Sequence, residues 1–180
     1  MPARIRPAQP ADVPALLAIY TPYVTDSVIS FEYAVPTEAE FARRVEAVQQ
    51  RLPYLVVEID ERVVGYAYAS PHSERAAYQW SVDTSVYLHS DYHRRGLARQ
   101  LYTELFAVLR RLGYVNAYAG VTLPNPGSEA LHRAMGFTPV GVYANVGYKF
   151  GAWHSVGWFE LLLQPRPDQP VPPMPIGALL

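Results

Sequence analysis

Residues Ser85 to Leu112 constrain the fold more than any other stretch of the chain. A β-branched and aromatic run, Ser85-Val86-Tyr87-Leu88, leads into Asp91-Tyr92-His93-Arg94-Arg95-Gly96, and leucines then recur at 97, 101, 105, 109 and 112. Leucine at helical spacing marks one buried helix face, and Gly113 is the expected C-cap. The segment is therefore a strand, a tight basic turn and a helix. At the start of such a helix the first N–H groups lack partners and the helix dipole favours negative charge. Arg94, Arg95, Gly96 and Arg99 thus read as an anion site. Taken alone, a solvated basic turn opening a surface helix fits equally well.

The rest of the chain supplies the layers. Arg4-Ile5-Arg6 is a short first strand. Asp12 is placed to cap a helix carrying Leu16, Leu17, Ile19 and Tyr20, which Pro22 should end or bend. A loop with exposed aromatics spans 28–33, and Thr37-Glu38-Ala39-Glu40 has the form of a capping box for a second helix reaching about Gln50. Strands follow at 54–59 and 63–69, joined by Asp60-Glu61-Arg62 as a hairpin turn, then a polar loop at 71–75 and a strand from Tyr78 to Leu88. After the long helix come a strand at 115–121, a short helix from Asn125 to Met135 and two strands at 141–149 and 157–163. This order predicts a mixed α/β (α+β) fold with helices packed on a largely antiparallel sheet. Residues 1–164 form the expected domain, and 165–180, with six prolines, an extended tail.

Composition removes several function classes. With 180 residues, 50% hydrophobic and 17% charged, the chain is globular. A net charge of −1 disfavours nucleic acid as a partner. The absence of cysteine removes disulfides, thiolate metal sites and a thiol nucleophile together. No metal is expected, because the five histidines show no His-Glu-x-x-His spacing. No apolar run of roughly 20 residues predicts a membrane span, and the first residues do not read as a signal peptide, so a cytoplasmic protein is expected. Neither a Gly-x-x-x-x-Gly-Lys-Ser/Thr loop nor a Gly-x-Gly-x-x-Gly turn occurs, which argues against ATPase and nicotinamide chemistry.

Two motifs then point in one direction. His93-Arg94-Arg95-Gly96-Leu97-Ala98 resembles the Gln/Arg-x-x-Gly-x-Gly/Ala cofactor motif of the GNAT superfamily of acetyl-CoA-dependent N-acyltransferases, with histidine at its first position. Asn125 to His132, followed by Gly136-Phe137, resembles the superfamily's second motif. Within the superfamily the resemblance, over about residues 3–164, is to the phosphinothricin and methionine-sulfoximine acetyltransferase branch. It is carried by Ile29-Ser30-Phe31-Glu32, Pro71-x-x-x-Arg75-x-x-Tyr78, Trp80-x-x-Asp83-x-Ser85-Val86-Tyr87, Leu123-Pro124-Asn125 and Gly147-x-Lys149-x-Gly151-x-Trp153-His154-x-Val156. Ser155 stands where the branch usually has aspartate, and Asp83 where it usually has glutamate.

The resemblance implies acetyl-CoA as co-substrate, a small amine as acceptor and a homodimer. Its expected cofactor contacts are Val86, Tyr87, Leu88, Arg94, Arg95, Gly96, Leu97, Ala98, Arg99 and Asn125, mostly through backbone groups. An alkyl ammonium must lose a proton before attacking a thioester, and Asp83 is the candidate base. His132 is the candidate acid for the departing thiolate, with a structural helix histidine as the plainer alternative. Arg75 suits an acceptor carboxylate, because guanidinium matches it bidentately, and Phe31, Tyr33 and Tyr78 are candidate walls. Trp153, Trp158 and Phe159 are candidates for a dimer contact. Two other functions compete with acetylation of an amino-acid-like molecule: acetylation of a protein N-terminus or lysine, and a silent acyl-CoA-binding module.

Overall fold

A computed structural model describes residues 3–179; Met1, Pro2 and Leu180, the outer ends of the expected domain and tail, lie outside the described residues. Seven strands, β1 (Arg4–Pro7), β2 (Tyr54–Ile59), β3 (Arg62–Pro71), β4 (Ser81–Leu88), β5 (Asn116–Leu123), β6 (Thr138–Lys149) and β7 (Ala152–Leu162), form one sheet. Their order is β1-β2-β3-β4-β5-β7-β6. Every pairing is antiparallel except that of β4 with β5. Four helices, α1 (Val13–Thr25), α2 (Glu38–Gln49), α3 (Leu97–Leu112) and α4 (Pro126–Ala134), flank the sheet, as expected for a mixed α/β domain.

Strand alternation divides the core in two. Leu55 and Val57 of β2 point to one face, where the leucine stripe of α3 is buried along its full length. Tyr54 and Val56 point to the other face, against Leu16, Ile19 and Tyr20 of α1 and Phe41 and Val45 of α2. Because α1 and α2 pack on the β2–β4 half, the same face over β5 and β7 is left without a substantial helix contact among the described residues.

The β4–β5 ladder is short. Ser81, Val82 and Asp83 pair with Asn116, Ala117 and Tyr118, and the two strands then part. Beyond that fork β5 continues to pair with β7 alone.

Several local expectations are corrected. Pro22 lies inside α1, which runs on to Thr25; the missing N–H forfeits only the bond to Ala18, and Asp26 N–H still reaches the Pro22 carbonyl at 2.9 Å. Asp12 does not cap α1 with its side chain. Its carboxylate is held by Arg6 at 2.6 and 2.8 Å, and Arg6 also binds Glu58 on β2. The strand expected from Tyr78 begins only at Ser81, because Ala76–Tyr78 close a single helical turn. The final two strands are longer than expected, since they pair as one hairpin from 138 to 162. The proline-rich segment is extended but docked: Val171 C=O accepts from the Trp80 indole (2.8 Å), Met174 N–H reaches Leu112 C=O (2.8 Å), and Ile176 and Leu179 pack on the α3-side core.

The single lysine has a structural position. Lys149, only 1% exposed, donates to the carbonyls of Val24 (2.6 Å), Ser27 (2.9 Å) and Ser30 (2.7 Å). It thereby ties the end of β6 to the C-terminus of α1 and to the loop after it. Replacing it with methionine leaves three carbonyls without their donor. Lys149→Met is expected to cost about 3 kcal/mol, at the upper end for buried polar groups left unsatisfied. Urea unfolding measures this, and a loss within 0.5 kcal/mol, about that of an ordinary surface change, would show the three bonds to be dispensable.

Candidate active site

The site is built around the fork. His89 N–H bonds Val64 C=O at 2.9 Å, so in the antiparallel β3–β4 ladder the pairs 64–89 and 66–87 exchange hydrogen bonds while 65–88 and 67–86 do not. The N–H and C=O of Val86 and Leu88 therefore face away from β3, into the gap that β5 has left. Those of Tyr87 face β3, and its ring packs among Tyr20, Tyr23 and Tyr66. Leu88 is partly engaged already: Tyr23 of α1 donates its hydroxyl to the Leu88 carbonyl (2.6 Å) and faces the Leu88 N–H at 3.3 Å. His93 Nε2 lies 3.1 Å from the same carbonyl, placed to donate. Histidine at the first position of the turn motif thus pins the end of β4.

Two helix N-termini converge on the gap. Gly96 caps α3 at φ 76°, a left-handed conformation that suits glycine, and no side chain satisfies the first turn's N–H groups. Arg94 also has positive φ, at 58°. With Gly96, Leu97, Ala98 and Arg99 it lines a cleft of about 480 Å³ whose other wall includes Asn125, Gly127 and Leu131. Arg95 is turned elsewhere, its guanidinium 4.9 Å from the centre of the Tyr92 ring. Asn125 caps α4, its Oδ1 accepting from Ser128 N–H at 3.1 Å.

A narrower cavity continues from this cleft through the fork, lined by residues of both strands together with Ile29, Tyr102, Asn125 and His132. His132 is buried among Tyr102, Phe137 and Phe159. Its Nδ1 is 2.7 Å from the Ser128 carbonyl and its Nε2 3.3 Å from the Tyr102 hydroxyl. The carbonyl can only accept, so the ring donates from Nδ1 and receives the tyrosine proton at Nε2. Burial pulls its pKa down, against a smaller upward pull from the Ser128 carbonyl, so the ring is neutral.

Asp83 stands at the fork itself, on the face that α1 and α2 leave open. Its Oδ1 is 2.7 Å from His72 Nδ1. Burial raises the carboxyl above the usual aspartate value, and the His72 bond opposes that rise. His72 lies on Tyr118 with ring centres 4.5 Å apart, near Tyr78 and edge-on to Trp158. The Trp158 indole N–H is the one buried side-chain polar atom without a partner among the described residues. Arg75 and Tyr78 are exposed on the neighbouring loop, and the Arg75 side chain makes no hydrogen bond to a described residue. Phe31 and Tyr33 lie towards the β6–β7 hairpin instead. Phe31 fills the space over Gly147, where a Cβ would come within 2.1 Å of its ring, and the Tyr33 hydroxyl binds the Tyr148 carbonyl.

Four contributors escaped the sequence reading: His72, Tyr23, Tyr102 and Ile29. Ile29 alone had a local signal, as part of a quoted motif. The proposed dimer residues also separate, since Phe159 is core at 3% exposure while Trp153 is 63% exposed. Among the described residues, no group of three His, Asp or Glu side chains gathers as a metal site, and no helix is long and apolar enough to cross a membrane.

Comparison with known proteins gives four consistent likenesses. The family profile described as Acetyltransferase (GNAT) domain matches residues 5–158. Phosphinothricin N-acetyltransferase of Streptomyces viridochromogenes is 40% identical over 174 residues, covering 94% of this chain and 95% of that one. The L-methionine sulfoximine/L-methionine sulfone acetyltransferase of Salmonella typhimurium is 31% identical, covering 88% and 94%. Among solved structures, a GNAT superfamily phosphinothricin acetyltransferase from Sinorhizobium meliloti in complex with AcCoA superposes with a TM-score of 0.90 at 31% identity, covering 98% of this chain and 99% of that one.

The buried His132 makes stability depend on pH. Its folded pKa lies below the ordinary 6.5, so the unfolded chain binds the proton more readily. Its contribution is therefore full above about pH 6.5 and is lost as pH falls below that. Melting temperatures of the wild type and His132→Gln, measured from pH 8 to pH 5, should converge on acidification. Parallel curves would remove His132 as a titrating element of the fold.

Proposed function

The chain belongs to the GNAT acetyltransferase family, with acetyl-CoA as acyl donor, and we propose that it acetylates the amino group of a small amino-acid-like acceptor by direct transfer in a ternary complex. The observation that carries this reading is the fork. It opens towards a cradle of free helix N–H groups on one side of the sheet, and Asp83, the last residue of β4 to pair with β5, stands at its closed end on the other side. The named substrates of the relatives, phosphinothricin and methionine sulfoximine, are amino acids of the kind that a carboxylate-binding arginine and an amine-deprotonating base would serve.

The residues divide by position. The N–H groups of Gly96, Leu97, Ala98 and Arg99, with the Arg94 and Arg99 side chains, hold the pyrophosphate, and Arg95 adds positive charge at the rim. Val86 and Leu88 on the β4 edge receive the pantetheine arm, while Tyr87, expected there from the sequence, turns its backbone to β3; Asn125 meets the arm from α4, and the Val86 N–H is directed where an oxyanion would form. Asp83 marks the side of the fork on which the acceptor's proton leaves. The His132–Tyr102 pair lies on the thiolate side. With no cysteine in the chain, an acetyl-cysteine intermediate has no residue to form on.

Arg75 binds the acceptor carboxylate, with Tyr78 and the partnerless Trp158 N–H beside it. The hairpin of β6 and β7 exposes Val142, Tyr143, Tyr148, Phe150 and Trp153, apolar side chains suited to contact with a second copy of the chain. In such a homodimer Phe31 and Tyr33, which lean on this hairpin, would complete the acceptor walls. The catalytic domain ends near Gln164 and the following segment acts as a strap. A cytoplasmic location fits the supply of the acyl donor.

A thiol-release assay with acetyl-CoA and a panel of free amino acids, amino-acid analogues and peptides tests the reading. Turnover is expected with amino-acid-like acceptors; turnover on peptides alone would overturn the small-molecule acceptor, and none on any amine would leave only acyl-CoA binding. Arg75→Ala should raise the acceptor KM by about tenfold or more, the scale of a lost charge-assisted bond, with little change for acetyl-CoA. The reverse pattern would reassign Arg75.

A further inference from the structure

Asp83 does not face the acceptor alone. Its hydrogen bond to His72 joins two elements of the open sheet face: β4, and the loop that leaves β3 after Pro71. The His72 ring is fixed on both sides of its plane of motion, stacked on Tyr118 and bounded by Tyr78 and the edge of Trp158. With Nδ1 committed to the carboxylate, Nε2 has no partner among the described residues, and the side chain is 28% exposed.

We propose that His72 and Asp83 form a general-base dyad, in which the carboxylate fixes the Nδ1–H tautomer and the His72 Nε2 takes the acceptor's proton. The inference rests on the acetyltransferase reading above and adds a catalytic residue to it. A carboxylate that already accepts a hydrogen bond is a poor base for an alkyl ammonium, whereas an imidazole backed by a carboxylate is a good one near neutral pH. The ammonium gives one proton to Nε2, directly or through one water, leaving a neutral amine and an imidazolium paired with Asp83. The amine lone pair then forms the C–N bond to the thioester carbonyl carbon, and the carbonyl electrons move to oxygen. As they return, the C–S bond breaks and its pair leaves on sulfur. The second nitrogen proton neutralises the thiolate, and the imidazolium returns its proton to solvent through its exposed edge. One proton is released per acetyl group transferred. The ionisable groups around His72 are Asp83 from β4, Tyr118 from β5, Tyr78 and Arg75 from its own loop and, beyond Tyr118 on the same face, Glu160 from β7; among the described residues no arginine or lysine bonds Asp83.

Asparagine separates the two roles of the ring, because its amide can still donate to Asp83 but offers no base. His72→Asn is expected to lower kcat by about a hundredfold, within the usual worth of general-base catalysis, and to flatten the alkaline rise of the pH–rate profile. Acetyl-CoA affinity, measured by calorimetry, should be unchanged and serves as the check on folding. Asp83→Asn should lower the rate similarly, and the double variant should be no worse than the poorer single one, as for residues acting as a unit. Added imidazole should restore part of the rate of His72→Ala.

A His72→Asn enzyme with wild-type rate and pH profile, or single effects that multiply in the double variant, would overturn the dyad while leaving the acetyltransferase reading intact. If the wild type itself turns over no amine, that reading fails and takes the dyad with it.

Discussion

Parallel pairing of β4 with β5 stops after three residues, and most of what is unusual in this molecule follows from that stop. A sheet of this size normally satisfies its interior backbone groups strand to strand. Here Val86 and Leu88 turn their N–H and C=O groups into a gap, at the centre of the sheet and not at an edge. Water, a ligand or a side chain must meet them. The chain uses side chains at the far end, where Tyr23 and His93 both hold Leu88, and leaves Val86 free. A ligand arm threaded through the gap would replace the missing strand, which is why a fold defect of this kind is compatible with stability.

The fork also explains how distant sequence segments come to share one chemistry. The N-termini of α3 and α4 open on one side of it, and the open face over β5 and β7 lies on the other. Neither side is held by the fork alone. Lys149 fastens the loop that carries Ile29 by three carbonyls from α1 and its continuation, so the roof of the passage depends on the last residue of β6. The proline-rich strap ties the start of β4 to the C-terminal end of α3 through Trp80 and Leu112, on the paired side of the fork. Rigid ends on both sides let a strand part in the middle without unzipping the sheet.

The sequence disclosed what is locally encoded. Gly96 and Gly113 mark the ends of α3 because a left-handed residue is needed there, and Asn125 and Thr37 cap their helices within three residues of themselves. Leucine spacing placed the α3 core face correctly. What stayed hidden depends on contacts across long separations. Asp12 looked like a helix cap because Arg6, only six residues away, takes its carboxylate from a position on β1 that Glu58 of β2 helps to hold, and Pro22, placed to end or bend α1, does not end it, because α1 packs on α2, β3 and β4. His72 sits in a polar loop of no periodicity, and only the register of β3 against β4 brings it to Asp83. Phe31 and Tyr33 were candidate acceptor walls alongside Tyr78; the fold sets them against the β6–β7 hairpin, and only Tyr78 of the three aromatics stands beside His72.

His72 and His132 show how environment assigns opposite roles to one residue type. His132 spends both nitrogens inside the protein, one on a carbonyl and one on the Tyr102 hydroxyl, and burial among aromatic rings disfavours its charged form. It can orient a hydroxyl on the thiolate side, but a proton it gained would have no counter-charge. His72 spends one nitrogen on a carboxylate and keeps the other free near solvent. An imidazolium formed there is neutralised where it forms. In the proposed reaction, proton uptake falls on the Asp83 side of the fork, away from the His132–Tyr102 pair on the α4 side, whose protons are already spent on Ser128 and on the ring itself. The gap between β4 and β5 keeps the two histidines apart.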